Sequence, residues 1–345
     1  MTDLLSVAKL AGVSRATAAR AFSDPHLLKA STRQRVLEAS EQLGFRPNHI
    51  ARQLRTQTSR TFGVLLPSLL NPVFARQLQA MERQARHAGY GLLIATSDYQ
   101  PQREAAIVEH MLRQRVAGLV LTVADADNSR VLATLADEQM PFVLTHNVPQ
   151  QHDYPAVCVD NRQAVADATA HLHALGHRHI GMVAGPMLQS DRARLRYQGY
   201  CDAMRQADLA PRPVIEMPSH THSDFHLLRP LLDAAEPLTA VICTNDLLAI
   251  SLMGAALRAG VQVPGALSIM GFDGTDLGEQ LAPSLASVAQ PSDLLGACAI
   301  DLLLQQATRG THVLAHRLRE GESIAPAPGH VFSSSTSGNH HVNAK

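Results

Sequence analysis

Residues 6–22 read SVAKLAGVSRATAARAF, two short alanine-rich segments joined through a glycine. Ser6 and Ser14 each stand just before one of these segments, where a hydroxyl can cap a helix, and Gly12 lacks the side chain that would obstruct a sharp turn. Helix, glycine turn and helix is the helix-turn-helix pattern, whose second helix enters the major groove of DNA. The stretch therefore predicts an all-α head that binds nucleic acid.

A third helix is expected to begin at Ser31 or Thr32 and to stop at Gly44, a residue suited to a helix C-terminus. Apolar residues recur at helical spacing in all three segments, which is enough for a small core over residues 1–46. They are Ala8, Leu10, Val13, Ala18, Ala21, Val36, Leu37, Ala39 and Leu43.

The second helix, residues 14–22, is predicted to turn Ala18 and Ala21 inward and Arg15 and Arg20 outward. An arginine can donate two hydrogen bonds to a guanine edge, and small alanines let a helix approach the bases closely. The alternative is a surface helix decorated with arginines that has no partner.

The charge distribution favours the first of these interpretations. Residues 1–60 hold ten Lys and Arg against four Asp and Glu, whereas the remainder of the 345 residues holds 20 against 26. A positive head on a negative body indicates a polyanionic partner, double-stranded DNA.

Residues 47–60 are expected to form a hinge helix and a linker. NHIARQL, capped by Asn48, can form one or two helical turns, and the polar RTQTSR that follows is typical of a linker. Leu54 is an apolar side chain on this basic segment. It either wedges into a minor-groove base step or packs against the head.

Several classes of protein are disfavoured. The four cysteines lie far apart, as reduced thiols do, and the first residues lack the cationic and apolar segments of a secretory signal. No apolar run reaches the about 18 residues of a membrane span. We therefore expect a cytoplasmic protein. No catalytic constellation is present, and HLHALGHRH scatters its histidines, so we expect no enzyme, metal site or cofactor.

Beyond residue 60, continuous apolar runs alternate with segments of helical period. Runs such as TFGVLLPS, GLLIATS, AVICTN and LSIMGFD are typical of strands in parallel sheets that helices cover on both faces. The polar tail 331–345 is expected to be disordered. Two such series predict an α/β core of two doubly wound lobes over residues 61–330, the first at about 61–160 plus 291–320 and the second at about 161–290 plus 321–330.

Ligands of doubly wound folds lie beyond the carboxyl ends of the strands. Polar side chains at these ends could converge on a cleft between the lobes and hold a small, hydroxyl-rich molecule. Taken singly, an Asn or Asp after a strand can equally be a helix cap. The loop SHTHSDFH is expected to edge the cleft, where one of its residues could touch the ligand. The candidate ligand contacts are Ser68, Asn71, Phe74, His146, Asn147, Asp160, Arg192, Arg196, Asn245 and Asp273.

These segments resemble the LacI/GalR family of transcriptional regulators. The matching motifs run in order along the chain: VAKLAGVSRATAAR, VLEASEQLGFRPNHIARQLRT, GVLLPSLLNPVF, ALGHRHIGMVAG, CTNDLLAISLM and LSIMGFDG. The resemblance implies a repressor of carbohydrate genes, a homodimer that binds a pseudo-palindromic operator. It also implies a periplasmic-binding-protein-like core that binds a small effector between its lobes.

By residue match, Arg15, Ala16 and Arg20 take the positions that read bases, and Leu54 takes that of the hinge leucine. Arg196, Asn245 and Asp273 match positions that hold the effector. The candidate DNA contacts are Ser6, Ser14, Arg15, Ala16, Thr17, Arg20, Asn48, Ala51, Arg52, Leu54 and Arg55.

The chain departs from the family pattern at two places. Ala18 and Ala19 replace a usual Val-Ser, which removes a phosphate-contacting hydroxyl, and His146 stands where an aspartate is common. A histidine can donate to an anion, and Arg192 adds positive potential. GVLLPSLLNPVFA and GFDGTDLGEQLAPSLASV look nearest to the gluconate-repressor branch, so the hypothesis is a sugar-acid effector such as gluconate. The alternatives are a two-lobed sugar receptor that does not bind DNA and a sugar-modifying enzyme.

Overall fold

The structure, a computed structural model, describes residues 3–45 and 59–329, which fall into two compact units divided after Ser59. The first unit is the all-α head. It consists of α1 (Leu4–Leu10), α2 (Arg15–Ser23), a short 3-10 turn (Pro25–Leu27) and α3 (Ala30–Gln42).

Ser14 caps α2 as expected, because its side chain accepts from the backbone N–H of Thr17 at 3.0 Å. The prediction for α1 was wrong by most of a turn. Asp3, not Ser6, is its N-cap, and both the N–H and the hydroxyl of Ser6 donate to Oδ1 of Asp3 at 2.8 Å. A carboxylate at the N-terminus of a helix is favoured by the helix dipole, which explains the earlier start.

Small residues build the core of the head, which lets three short helices pack closely. Two of the nine expected core residues are instead largely exposed, since Leu10 is 51% and Leu37 is 37% accessible. The buried set is Val7, Ala8, Ala11, Ala18, Ala21, Val36 and Ala39.

The second unit contains two six-stranded sheets, and each belongs to one lobe. The first sheet has the order β11-β5-β4-β3-β1-β2 and all its pairs are parallel. Its strands are β1 (Thr61–Leu66), β2 (Gly91–Thr96), β3 (Leu119–Leu121), β4 (Phe142–Thr145), β5 (Ala156–Val159) and β11 (Thr311–Leu314).

The second sheet has the order β12-β10-β9-β8-β6-β7, in which only the β10–β12 pair is antiparallel. Its strands are β6 (Ile180–Ala184), β7 (Ile215–Glu216), β8 (Ala240–Cys243), β9 (Ser268–Asp273), β10 (Ala286–Ala289) and β12 (Arg317–Arg319). The α/β class and the two doubly wound lobes are thereby confirmed.

Helices cover both faces of each sheet, as parallel sheets require. In the first lobe they are α4 (Pro72–His87), α5 (Pro101–Arg113), α6 (Arg130–Asp137) and α12 (Ser292–Leu304). In the second lobe they are α7 (Asn161–Ala174), α8 (Asp191–Gln206), α9 (Phe225–Leu232), α10 (Asp246–Arg258) and α11 (Asp276–Glu279).

The chain crosses between the lobes three times within the described core: from β5 to α7, from β10 to α12 and from β11 to β12. The third crossing is complete at Arg317, where β12 pairs with β10, so the second lobe resumes a few residues before the expected boundary near residue 320.

One glycine in each lobe lets two helices touch backbone to backbone. A Cβ on Gly199 of α8 would lie 1.9 Å from the carbonyl oxygen of Arg162 on α7. A Cβ on Gly296 of α12 would lie 2.3 Å from the carbonyl oxygen of Gln77 on α4. The helix that follows the first strand of each lobe is therefore anchored in the same way.

None of the helices in the described ranges combines the length and the apolar character that a membrane crossing would require.

Candidate functional site

A cavity of about 430 Å³, counting the space at its mouth, lies between the two lobes. It sits beyond the carboxyl ends of the strands, where a ligand site was expected. The residues that line it are Asn71, Val73, Phe74, Tyr99, His146, Ser190, Arg192, Ala193, Arg196, His220, Thr244, Asn245, Asp273 and Gln290.

Seven of the ten candidate ligand residues come together around this cavity: Asn71, Phe74, His146, Arg192, Arg196, Asn245 and Asp273. Three do not line it. Ser68 lines a separate outer pocket, and Asn147 is fully buried, where it bonds the backbone of Val123. Asp160 is an exposed cap that accepts from the N–H of Gln163 at 2.9 Å. The helix-cap alternative therefore describes Asp160.

Arg196 is one of two buried arginines that line the cavity. Its guanidinium carbon stacks 3.5 Å above the ring of Phe272, and its Nε donates to Oδ1 of Asn161 at 2.8 Å. Its Nη1 donates to the carbonyl of Thr244. Burial lowers the pKa of Arg196 to about 10, so it remains charged at neutral pH. Among the described residues no carboxylate lies within ion-pairing distance of it.

Arg192 connects the two lobes. It is 5% exposed, and its Nη1 donates to the carbonyl of Val123 in the first lobe at 2.7 Å. The same nitrogen lies 3.2 Å from the carboxylate of its neighbour Asp191. Asp191 in turn accepts from Asn147 at 2.7 Å and from the N–H of Ala126 at 3.0 Å. The start of α8 is thus bonded directly to the end of β3.

Asp273 closes the opposite side. Its carboxylate accepts from Asn71 at 2.9 Å and from Gln290 at 2.7 Å, so the first of these bonds spans the cleft. Burial raises the pKa of Asp273 to about 7, even though Arg196 acts in the other direction. A carboxyl with this pKa can accept from a ligand hydroxyl or donate to it, depending on pH.

His146 adds no positive charge to the cavity. Burial, together with Arg192 and Arg196, lowers its pKa to about 3, so the ring is neutral at physiological pH. It contacts Phe74 edge-on and lies 3.0 Å from the side-chain oxygen of Gln77. The positive potential in the cavity therefore comes from the two arginines.

Three lining residues that are not glycine adopt left-handed backbone: Tyr99 (φ 59°), His146 (φ 65°) and Asp273 (φ 116°). Such conformations cost of the order of 1–3 kcal/mol each and concentrate at functional sites. Their presence around one cavity supports a functional role for it.

Sequence reasoning missed several lining residues. Tyr99 and His220 come from loops, and Gln290 follows a strand that the alternation did not predict. The only available signal was the loop SHTHSDFH, which contains His220. Asn161, one residue after the nominated Asp160, is the side chain that contacts Arg196.

In the head, α2 presents Arg15, Ala16 and Arg20 on its exposed face, whereas Ala18 and Ala21 are buried. Thr17 and Ser14 bond to each other at 2.9 Å beside this face. The hinge candidates Asn48, Ala51, Arg52, Leu54 and Arg55, like the tail, lie outside the described residues.

His177, one of the histidines in the segment HLHALGHRH, has hydrogen-bond partners within the protein. His177 is buried and lies 2.9 Å from both the hydroxyl of Thr239 and the carbonyl of Ala325. It ties the end of the described chain to the second sheet.

Known families and proteins match both units. The family described as bacterial regulatory proteins, lacI family, matches residues 3–48, and the family described as periplasmic binding proteins and sugar binding domain of LacI family matches residues 59–319. The chain is 32% identical to the HTH-type transcriptional repressor CytR of Escherichia coli, over 89% of this chain and 90% of CytR. It is 33% identical to the HTH-type transcriptional regulator GntR of Escherichia coli, over 94% and 97%.

A crystal structure of the lac repressor dimer bound to operator and the anti-inducer ONPF superposes with a TM-score of 0.84 at 27% identity. It covers 94% of this chain and 99% of that one. The nearly equal identities to CytR and GntR assign the family without singling out a branch. The match to the head also separates the chain from two-lobed receptors that lack one. The chain belongs to the LacI family and is a DNA-binding transcriptional repressor with an effector-binding domain, not an enzyme.

Proposed function

We propose that this repressor controls genes of carbohydrate or sugar-acid catabolism in the cytoplasm and that its effector is a sugar acid, such as gluconate or a keto-gluconate. One observation carries the proposal: Arg196 is a buried cation, lining the cavity, whose described neighbours include no ion-pair partner. An unpaired buried charge is costly, and a bound anion would relieve that cost.

The other lining groups suit the rest of such a molecule. The carboxyl of Asp273 and the amide of Asn71 can exchange hydrogen bonds with hydroxyls, and Phe74 offers an apolar wall. A sugar acid could place its carboxylate at Arg196 and its hydroxyls toward Asp273, since both residues line the same cavity.

Calorimetric titration of the full chain tests the effector class. D-gluconate and 2-keto-D-gluconate are expected to bind, and D-glucose, which lacks the carboxylate, is expected to bind at least about tenfold more weakly. Binding of neutral sugars without binding of sugar acids would contradict the proposal.

The operator contacts are proposed from the exposed face of α2 and from residue match. Arg15, Ala16 and Arg20 would read bases, with Ser6, Ser14 and Thr17 beside them. The hinge residues Asn48, Ala51, Arg52, Leu54 and Arg55 would contact the operator of a homodimer, with Leu54 wedged into its central base step.

Gel shifts with DNA from the chain's own promoter region test this surface. Arg15→Ala is expected to cost about 1–3 kcal/mol of operator affinity and to relax specificity at one base-pair position. A loss that is equal over all operator variants would make Arg15 a phosphate contact instead.

The two sites are proposed to be coupled through the angle between the lobes. Coupling between sites is reciprocal, so operator must weaken effector binding by the same factor by which effector weakens operator binding. Unequal factors at matched salt would contradict this scheme.

A further inference from the structure

A second pocket, the outer pocket, lies beside the cavity between the lobes, which is called the inner cavity from here on. It has about 590 Å³ of empty space on the same measure, and Leu70, Pro186 and Pro218 are among the residues that line it. The two spaces share two lining residues, Tyr99 and His220. A ligand that moves between the outer pocket and the inner cavity along this route must therefore move past Tyr99 and His220.

Tyr99 and His220 come from opposite lobes and stack face to face. Tyr99 follows β2 in the first lobe, His220 follows β7 in the second, and their ring centroids are 4.0 Å apart at an interplanar angle of 25°. Burial lowers the pKa of His220 to about 4, so both rings are neutral at physiological pH. A stack of this kind exists only while the lobes hold this separation.

His220 is held in place by hydrogen bonds to the second lobe. Its carbonyl accepts from Nδ2 of Asn245 at 2.7 Å, and its Nε2 lies 3.2 Å from Oε1 of Gln189. A Cβ on Gly185 would lie 2.5 Å from its ring, so only glycine leaves room for the histidine there.

The Tyr99 side stores strain. Tyr99 and the preceding Asp98 both have left-handed backbone, with φ values of 59° and 51°. No hydrogen bond of the phenol is recorded within the described chain, and Tyr99 is half-buried between the two pockets. Tyr99 also packs against the core of the first lobe, so the stack is broken when the lobes separate and not by movement of the loop alone.

We propose that Tyr99 and His220 form an aromatic gate between the lobes that separates the inner cavity from the outer pocket and opens when the lobes part. The gate controls how fast a ligand enters and leaves. That role rests on the proposal that the effector binds in the inner cavity, whereas the opening itself is a property of the ligand-free protein and can be tested without an effector.

The test is thiol labelling of a reporter cysteine inside the cavity. Thr244 lines the inner cavity, and its buried hydroxyl has no hydrogen-bond partner in the described chain, so Thr244→Cys is a mild substitution. Cys298, the one half-buried native thiol, is replaced by Cys298→Ser in every variant. The full chain is treated with methyl methanethiosulfonate, and the modification is followed by mass spectrometry.

With the gate intact, the reporter thiol is expected to react more slowly than an exposed thiol but faster than the buried native Cys243. Tyr99→Ala and Gly185→Ala are each expected to accelerate the reporter about tenfold or more, because both remove the stack. Tyr99→Phe keeps the ring and is expected to stay within about twofold of the parent rate.

Tyr90→Ala is the matched control, because Tyr90 also stacks face to face on an aromatic ring, Phe62, at 4.2 Å, but does not line the cavity. It should leave the reporter rate unchanged. Labelling of the buried Cys158 and Cys243 reports unfolding in any variant. If Gly185→Ala unfolds, the reporter rates of Tyr99→Ala and Tyr99→Phe still show whether the stacked ring slows access to the cavity.

The gate is overturned if the parent reporter reacts as slowly as Cys243, which would make the pair a fixed wall. Equal rates in Tyr99→Ala and the parent would overturn it as well. Failure of sugar acids to bind would leave these rates unaffected, so the two proposals fail separately.

Discussion

The two lobes share a topology but contribute different chemistry to the cavity between them. The first lobe supplies neutral groups: Asn71, Val73, Phe74, Tyr99 and His146. All three charged lining residues, Arg192, Arg196 and Asp273, belong to the second lobe. The two sheets are therefore similar in topology, whereas the side chains that the two lobes contribute to the cavity differ in charge.

This division of charge predicts an order of binding. We expect an anionic ligand to be attracted first to the second lobe, where the buried arginines lie, before the first lobe covers it with apolar and neutral polar groups. Four sets of substitutions test how the two lobes differ and what they share.

The largest effect is expected at Arg196. Arg196→Leu should weaken gluconate binding by about 2–5 kcal/mol, since it removes one partner of a buried charge pair. In the first lobe, His146→Asn should cost less than about 1.4 kcal/mol, a factor of ten, because the ring is uncharged. Calorimetry measures both.

Arg196→Lys provides the control, because it keeps the charge but loses the planar fork that stacks on Phe272. The affinity of Arg196→Lys for gluconate should lie between that of the parent and that of Arg196→Leu. Equal losses of gluconate affinity in Arg196→Leu and His146→Asn would contradict the idea that the second lobe makes the charged contacts with the ligand.

The next effect concerns a feature that the lobes share, the glycine at which two helices touch. Gly199→Ala and Gly296→Ala should each lower the free energy of unfolding by about 1–3 kcal/mol or more, because the added methyl group meets a backbone carbonyl. The loss at Gly199 should be the greater, since its contact is closer. Gly91→Ala, with nothing within 4 Å, is the control and should stay within about 0.5 kcal/mol in urea denaturation.

A smaller, pH-dependent effect is expected at Glu104 of α5. Burial raises the pKa of this carboxyl from 4.5 to about 7, although it accepts from the N–H of Ala124 at 2.8 Å. The folded state thus binds an extra proton between these values, so the carboxyl lowers stability as pH rises through the interval. Glu104→Gln should raise the unfolding free energy by about 1–2 kcal/mol at pH 8.

That gain should shrink as the pH falls toward 4.5 and disappear well below it, where Glu104 is protonated in both the folded and the unfolded state of the parent. Thermal melts at several pH values measure it. Glu109→Gln on the same helix changes an exposed carboxylate and should show no such trend. A gain from Glu104→Gln that did not vary with pH would contradict the assigned pKa.

The smallest effect is expected at the outer rim. Arg76 on α4 bonds Asp276 on α11 of the other lobe at 2.8 Å, but both side chains are about half exposed or more. The coupling energy in a double-mutant cycle of Arg76→Ala and Asp276→Ala should be about 0.2–1 kcal/mol. It should diminish further in 1 M salt. A larger, salt-independent value would mean that the rim, and not the buried bonds, holds the lobes together.

Much of the fold could be predicted because its signals are local. Ser14, Gly12 and Gly44 mark helix ends by their own backbone and side-chain chemistry, and apolar runs mark buried strands. The predicted start of α1 was wrong because Asp3 and Ser6 can both cap a helix, and the helix dipole favours the carboxylate of Asp3.

The site was less predictable, because position along a strand does not determine where a side chain points. Asp160 and Asn161 are neighbours, yet one is an exposed cap and the other is buried beside Arg196. Tyr99 and His220 meet only because two distant loops converge, and no periodicity in the sequence records that meeting. The charge of His146 depends on burial and on two arginines far away in the chain.

The triple connection between the lobes restricts how they can move. Because three chain segments join the lobes, sliding one lobe past the other would stretch at least one of these connections. Asn161 lies in the first of these connections, where it accepts from Arg196 and donates to the carbonyl of His146 at 3.4 Å. A ligand bound at Arg196 therefore contacts a side chain that is itself bonded to one of the three connections between the lobes.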